Sequence, residues 1–557
     1  MNSHFFQSRR DFITKISTAA ALSTLPFSGY SFSGKVEEYI TSETRYGKIR
    51  GQRFDGVNIF KGIPYGGKLS GERRFKRPAP LGPWTGVKDT LTLGPPAIQN
   101  PRRGEPDPLE DCLFLNVWTP SNDGKKRAVM FYSHGGGYVG GSGGAGGQDG
   151  ANLARNFDVV VVQTNHRLGL MGFLYLDELG GEEYAGSGNM GVADIALGLK
   201  WVYENIANFG GDPDNIMIFG ESGGGGKTAC LYAMPEAAPY FNKCSIESGP
   251  GVRMLSKEQA QKTTLAVLKA LEIDPKDWKK LLEVPAAKLL EIQNAIPTVP
   301  PFQPKDGLKD NEPIWGFGPV VDGKVLLHHP FDPKATETSR NKPLLVGWNE
   351  DEFNFFVWQS KDIAPFSMNF EQITERLKGQ FGENAQKLVD TYRKARPQAT
   401  APDIYVAITS INMMGLGSIE IAEKKAVQGG APVYLYNFGY KSDMKIPGTD
   451  YEMGTPHAMD ISFKFNNEVP PKEGEAPRMG FGGSKPGRFH ASHNFAELWA
   501  NFAKTGVPSA KDAPEWPAYN LQTRPTMRID VQCEVIEDRF HEELQTWREI
   551  GKLVVTE

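Results

Sequence analysis

Cysteine is scarce in this chain: Cys112, Cys230, Cys244 and Cys533 are the only four in 557 residues. None belongs to a C-x-x-C pair, so neither a zinc site nor a dithiol redox centre is expected. No metal and no organic cofactor is implied. Four buried thiols are expected, with Cys230 and Cys244 the one pair whose bridging is worth checking. An excess of charge of one sign is lacking as well. Lys and Arg number 62 against 66 Asp and Glu, a formal net charge of −4. That excludes the basic surplus of a nucleic-acid-binding chain and the like-charge blocks of a disordered tail. From about Val36 onward there is no low-complexity linker, no internal repeat and no heptad pattern, which excludes solenoids and coiled coils.

The N-terminus is different in kind. Ser8-Arg9-Arg10-Asp11-Phe12-Ile13-Thr14-Lys15 resembles the twin-arginine export signal S-R-R-x-F-L-x-K, with Ile13 at the Leu position. A mildly apolar stretch from Ile16 to Phe27 follows, broken by Pro26. It is too short and too polar to cross about 30 Å of hydrocarbon, so no stable membrane anchor is expected. The expected organisation is a signal peptide over residues 1–34 and one folded domain over residues 35–557. Export to the bacterial periplasm or beyond would follow, with the twin-arginine machinery as the precursor's partner. Such a passenger folds in a reducing cytosol, which suits a fold without disulfides.

Within the domain, fully apolar β-branched runs alternate with helix-period segments. Arg127 to Tyr132, Phe157 to Val162 and Asn215 to Phe219 read as buried strands, and Ile195 to Ile206 reads as a helix. Lys342 to Gly347 and Val433 to Tyr436 read as later strands; Gln259 to Leu271, Phe370 to Tyr392 and Asn494 to Ala503 read as helices. Strands apolar on both faces and separated by helices indicate an α/β fold, a large mainly parallel sheet covered on both sides. Tyr451 to Phe489 is loop-rich.

A serine nucleophile is the first candidate chemistry. The G-x-S-x-G pattern occurs at Ser222 and again at Ser142, and in a chain with 62 glycines the pattern alone carries little weight. Context separates the two. Ser142 sits in a glycine run with no strand leading into it. Ser222 follows the Asn215 strand and precedes a plausible helix, Lys227 to Ala233, which is the strand–turn–helix a nucleophile elbow requires. His134-Gly135-Gly136-Gly137 follows the Phe131 strand, the setting of an oxyanion loop. The amides of Gly136 and Gly137, with that of Gly223 after the serine, would make a three-donor hole. A general base and an orienting acid are also required. The chain order Ser, acid, His favours a late histidine, leaving His457, His490, His493 and His541, the last on a terminal helix. For the acid, Glu350, Asp351 and Glu352 follow a predicted strand; spacing does not choose among them.

The chain resembles the type-B carboxylesterases, the family of cholinesterases and bacterial p-nitrobenzyl esterases. The likeness runs from roughly Tyr46 to Met527 through Phe60-Lys61-Gly62-Ile63-Pro64-Tyr65, Glu110-Asp111-Cys112-Leu113, Asn165-His166-Arg167-Leu168-Gly169, Asn208-Phe209-Gly210-Gly211-Asp212-Pro213 and Leu498-Trp499-Ala500-Asn501-Phe502. It implies the α/β-hydrolase fold and hydrolysis of a small-molecule ester to acid and alcohol. Specialisation for a lactone, a carbamate or an aryl diester is the alternative, and a non-catalytic cholinesterase-like binding domain a more remote one. Matching Gly347-Trp348-Asn349-Glu350-Asp351-Glu352 to the family's G-x-N-x-D-E places the acid at Glu352. Gly454-Thr455-Pro456-His457 matches the loop of the catalytic histidine. The implied triad is Ser222, Glu352 and His457, with Glu221 and Ser248 as nearby hydrogen-bonding residues. Arg74 with Glu110, and Arg167 with Asp194, match structural ion pairs.

The chain departs from the family at three points. Ile98 stands where many members carry a cysteine bridged to the one matching Cys112, so that disulfide cannot form. Gly223 replaces the usual alanine after the serine. The Gln99–Glu110 connection is short and offers no counterpart to the choline-binding tryptophan, which argues against choline esters. The substrate pocket is expected from the segments 99–109, 249–255, 348–358 and 413–419, whose aromatics Trp348, Phe353, Phe355, Phe356 and Trp358 either line it or pack in the core.

Overall fold

Every residue of strand β6 (Arg127–Ser133) is buried. Successive side chains of a strand point to opposite faces, and here Val129 and Phe131 enter one hydrophobic core while Met130 and Tyr132 enter another. Strand β8 (Gly211–Glu221) divides in the same way, Ile216 and Ile218 against Met217 and Phe219. The sheet therefore lies between two apolar layers, as its doubly apolar strands demand. The computed structural model describes residues 36–298, 314–470 and 480–553. The expected signal segment, residues 1–34, lies outside the described residues.

The parallel part of the sheet also contains β7 (Val160–Thr164), β9 (Lys243–Glu247), β10 (Leu344–Asn349), β11 (Val433–Phe438) and β14 (Thr526–Ile529). Their order is β7-β6-β8-β9-β10-β11-β14, with β8 and β9 central. Antiparallel strands extend the first edge: β5 (Phe114–Thr119), then β3 (Val57–Pro64), β2 (Gly47–Phe54) and β1 (Glu38–Thr44). The short β4 (Val87–Asp89) joins β2, and β15 (Glu534–Ile536) closes the other edge, giving thirteen strands. A two-stranded hairpin, β12 (Ser442–Lys445) and β13 (Glu452–Gly454), stands apart.

Two expected elements change. Phe157 closes a helix, Ala151–Phe157, instead of opening a strand: Asp158 turns left-handed (φ +50°) at the helix end and accepts from Arg127. The helix expected from Phe370 to Tyr392 is two, Phe370–Phe381 and Asn384–Ala395, divided where Gly382 takes φ +57°. The 28-residue helical stretch Ala401–Gln428 is apolar enough to cross a membrane by length and composition, yet 78% of its most apolar window is buried inside the fold. It contains a π-helical turn at Ile411–Gly415, beside Trp348.

The four cysteines are free thiols; Cys112, Cys230 and Cys244 are buried and Cys533 is only half-buried, a small departure from the expected set. The two ion pairs implied by the resemblance are present. Arg74 makes a bidentate pair with Glu110 (2.7 and 2.6 Å). Arg167 does the same with Asp194 (both 2.7 Å), and there both side chains are buried. Asp194→Ala leaves the Arg167 guanidinium buried without its counter-charge. Urea unfolding should show a loss of about 3–5 kcal/mol.

Candidate active site

The serine, the acid and the histidine all sit beyond the carboxyl ends of parallel strands, where α/β sheets place their sites. Ser222 lies between β8 and the helix Gly223–Ala233, at φ +59° and ψ −127°. Its amide donates to the Glu247 carbonyl at 2.9 Å. A residue other than glycine in left-handed backbone is strained, and at a strand-to-helix turn that strain projects the side chain clear of both elements. Ser142 has no such setting. It is buried in the glycine loop, where its hydroxyl accepts from the Gly144 amide at 3.1 Å.

Ser222 Oγ lies 2.8 Å from His457 Nε2, and His457 Nδ1 lies 2.6 Å from Glu352 Oε2. Glu352 is fully buried, and its other oxygen accepts from the Asn349 amide at 2.8 Å. The two neighbouring carboxylates are engaged elsewhere. Asp351 accepts from Lys441 and the Thr455 amide. Glu350 pairs with Lys441, Arg528 and Arg539; burial works against its charge, but these three cations hold it down to about 2. The competing histidines are exposed and distant in role: His490 lies near Asp512, His493 near Glu497, and His541 bonds Asp538.

The loop after β6 comes up against the first turn of the Gly223–Ala233 helix with no space between. A Cβ at Gly223 would sit 2.0 Å from the Gly137 carbonyl oxygen, and one at Gly224 would sit 2.0 Å from that of Ser133. The glycine in place of alanine thus admits a contact that alanine would push apart. Gly136 and Gly137 hold left-handed φ of +90° and +62°. The amides of Gly136, Gly137 and Gly223 donate to no other described residue. They are unpaired donors on the two segments that meet at the Ser222 turn.

A third carboxylate, Glu221, is buried with Oε1 3.4 Å from His457 Nε2. Burial raises its pKa, partly offset by His457. For His457 burial opposes the charged form, but Glu221 and Glu352 outweigh it and raise the imidazole above the usual histidine range. Below lies a buried network: Lys464 pairs with Glu247 and Asp460, Asp460 accepts from Asn349 Nδ2, and Trp499 donates to Glu247. Ser248, expected as a hydrogen-bonding neighbour, is buried at φ +44° but its hydroxyl bonds no described residue. The aromatics divide. Trp348 and Phe353 pack in the core against Phe540 and Tyr405. Phe355 and Phe356 put their rings 5.6 and 5.1 Å from the imidazole of His457. Trp358 stacks edge-on with Phe481 beside them. Among the described residues no group of three His, Cys, Asp or Glu could hold a metal ion.

A sequence model described as the carboxylesterase family matches residues 39–547. The chain belongs to the carboxylesterase family. The enzyme is 34% identical over 509 residues to the para-nitrobenzyl esterase of Bacillus subtilis (strain 168), covering 90% of this chain and 97% of that relative. It is 28% identical over 516 residues to the phenmedipham hydrolase of Pseudarthrobacter oxydans, covering 89% and 96%. Its fold is that of a solved carboxylesterase from Geobacillus stearothermophilus, with a TM-score of 0.76 and 34% identity over 91% of this chain and 99% of that one.

The site geometry carries a pH signature. A base must be unprotonated to accept a proton, so kcat/KM should rise with pH through the imidazole's pKa, which the two carboxylates hold high. Glu221→Gln removes a carboxylate that favours the imidazolium and should move this acid limb to lower pH. An unmoved limb in a pH–rate profile would show that Glu221 does not act on His457.

Proposed function

We propose that the enzyme is a serine carboxylesterase in which Ser222 attacks the ester carbonyl, His457 moves the proton and Glu352 orients His457. The observation that carries this reading is the unbroken line of hydrogen bonds from Ser222 Oγ through both imidazole nitrogens to Glu352. As Oγ bonds to the carbonyl carbon, its proton passes to Nε2, and the imidazolium that forms is stabilised by Glu352 against Nδ1. The carbonyl oxygen becomes an anion facing the amides of Gly136, Gly137 and Gly223, each typically contributing about 3 kcal/mol at the transition state. His457 then protonates the departing alcohol, leaving an acyl-serine. Water attacks the acyl carbon with His457 again as base, and the acid leaves.

The alcohol or acyl group meets Phe355 and Phe356, which favours esters with an apolar or aryl substituent over charged ones. The para-nitrobenzyl ester in the name of the Bacillus relative fits that wall. For the precursor, the Ser8–Lys15 segment supports export by the twin-arginine route to the periplasm or beyond.

Ser222→Ala should lose on the order of 10⁴-fold or more in turnover of p-nitrophenyl butyrate while its circular dichroism stays native. Turnover close to wild type would remove Ser222 from the reaction. In cells, replacing Arg9 and Arg10 by Lys should trap the protein in the cytosol; fractionation that finds it still exported would refute the signal.

A further inference from the structure

Lys227 stands where the glycine run Gly223–Gly226 ends, and it is fully buried. Its ammonium donates to the His134 carbonyl at 2.9 Å and lies 3.1 Å from His166 Nε2. Among the described residues no carboxylate forms an ion pair with it. Lys464, equally buried, has Glu247 and Asp460. The charged and titratable groups near Lys227 are His134 after β6, His166 after β7, and Arg102 in the 99–109 segment, none of them acidic. Burial, with Arg102 adding repulsion, brings Lys227 down to about 7. Burial and the neighbouring Lys227 together hold His134 and His166 well below the usual histidine range, so both are neutral. The two imidazoles stack at 4.5 Å.

A buried cation without a counter-charge destabilises the fold. Methionine would fill a similar volume without that penalty, so packing does not account for this lysine. Its polar contact does. His134 is the first residue of the glycine loop, and His134–Gly137 lies directly on the turn that carries Ser222, a Cβ at Gly135 falling 3.4 Å from the Ser222 Cβ.

We infer that Lys227 is a positioning residue for the oxyanion loop, its Nζ donating to the His134 carbonyl and so fixing the first residue of the loop that carries the amides of Gly136 and Gly137. The inference rests on the oxyanion role proposed above for those amides. A loop of consecutive glycines has little conformational preference of its own, and a buried donor on its first carbonyl restricts it. An oxyanion exists only once the serine has added to the carbonyl, so displacing its donors falls on kcat and not on KM.

Lys227→Met removes the donor to the His134 carbonyl, and Lys227→Gln replaces it with a neutral one. Each is assayed with p-nitrophenyl butyrate, with circular dichroism for folding, and with a trifluoromethyl ketone, which forms a tetrahedral adduct on an active-site serine. In Lys227→Met, kcat should fall about 10- to 100-fold with KM within about 3-fold of wild type, and ketone affinity should fall in step with kcat/KM. Lys227→Gln, which keeps a donor for the His134 carbonyl, should lie between the two. A folded Lys227→Met with wild-type kcat overturns the inference, as does a loss confined to KM with unchanged ketone affinity. If Lys227→Met does not fold, Lys227→Gln decides by the same criteria. An active Ser222→Ala would refute the underlying reaction scheme, whereas wild-type Lys227→Met beside an inactive Ser222→Ala would refute this inference alone.

Discussion

Backbone pressed against backbone is the constraint from which the site follows. The chain from the end of β6 through its following loop meets the first turn of the Gly223–Ala233 helix so closely that a methyl group at Gly223 or Gly224 would lie 2.0 Å from a carbonyl oxygen. Beside that contact three amides stay unpaired and Ser222 takes a positive φ. The strain is sustained because β8 and β9 are central in the sheet, with Glu247 accepting the Ser222 amide. A turn held from both sides cannot relax without breaking the ladder.

Charge is the second organising principle. Glu352 and Glu221 both face His457, and Asp460 and Glu247 lie beneath it, both paired with Lys464. Acidic groups on this side favour an imidazolium, the form His457 would take in the proposed proton transfer. On the other side of the serine lies the buried Lys227, whose Nζ holds the His134 carbonyl, with Arg102 beyond it.

Much of this was legible beforehand. Strands β6, β8, β10 and β11 were readable because they are apolar on both faces, and the Ser222 elbow because a strand runs directly into it. Other features were not. Spacing left Glu350, Asp351 and Glu352 equivalent, since three adjacent carboxylates after a strand differ only in which neighbours reach them. Family likeness pointed to Glu352, but the cations that occupy Glu350 and Asp351 come from Lys441, Arg528 and Arg539, far away in the chain. Gly382 and Asp158 ended helices that periodicity carried too far or missed, because a left-handed residue leaves no mark on hydrophobic pattern. Lys227 was read only as part of a helix. A lysine among residues as apolar as Ala229, Cys230 and Leu231 was the available signal, and it pointed to burial without saying against what.

The amino-acid sequence by itself determined the α/β architecture, the family and the candidate serine at a strand-to-helix turn, because these rest on local pattern: apolar periodicity, glycine placement and short motifs. Tertiary structure decided which carboxylate meets the histidine, which aromatics face it and which buried cation touches the glycine loop. Those choices depend on contacts between segments far apart in the chain, such as Glu352 with His457, Ser222 with His457 and Lys227 with His134. Folding sets these distances, and no spacing along the chain encodes them.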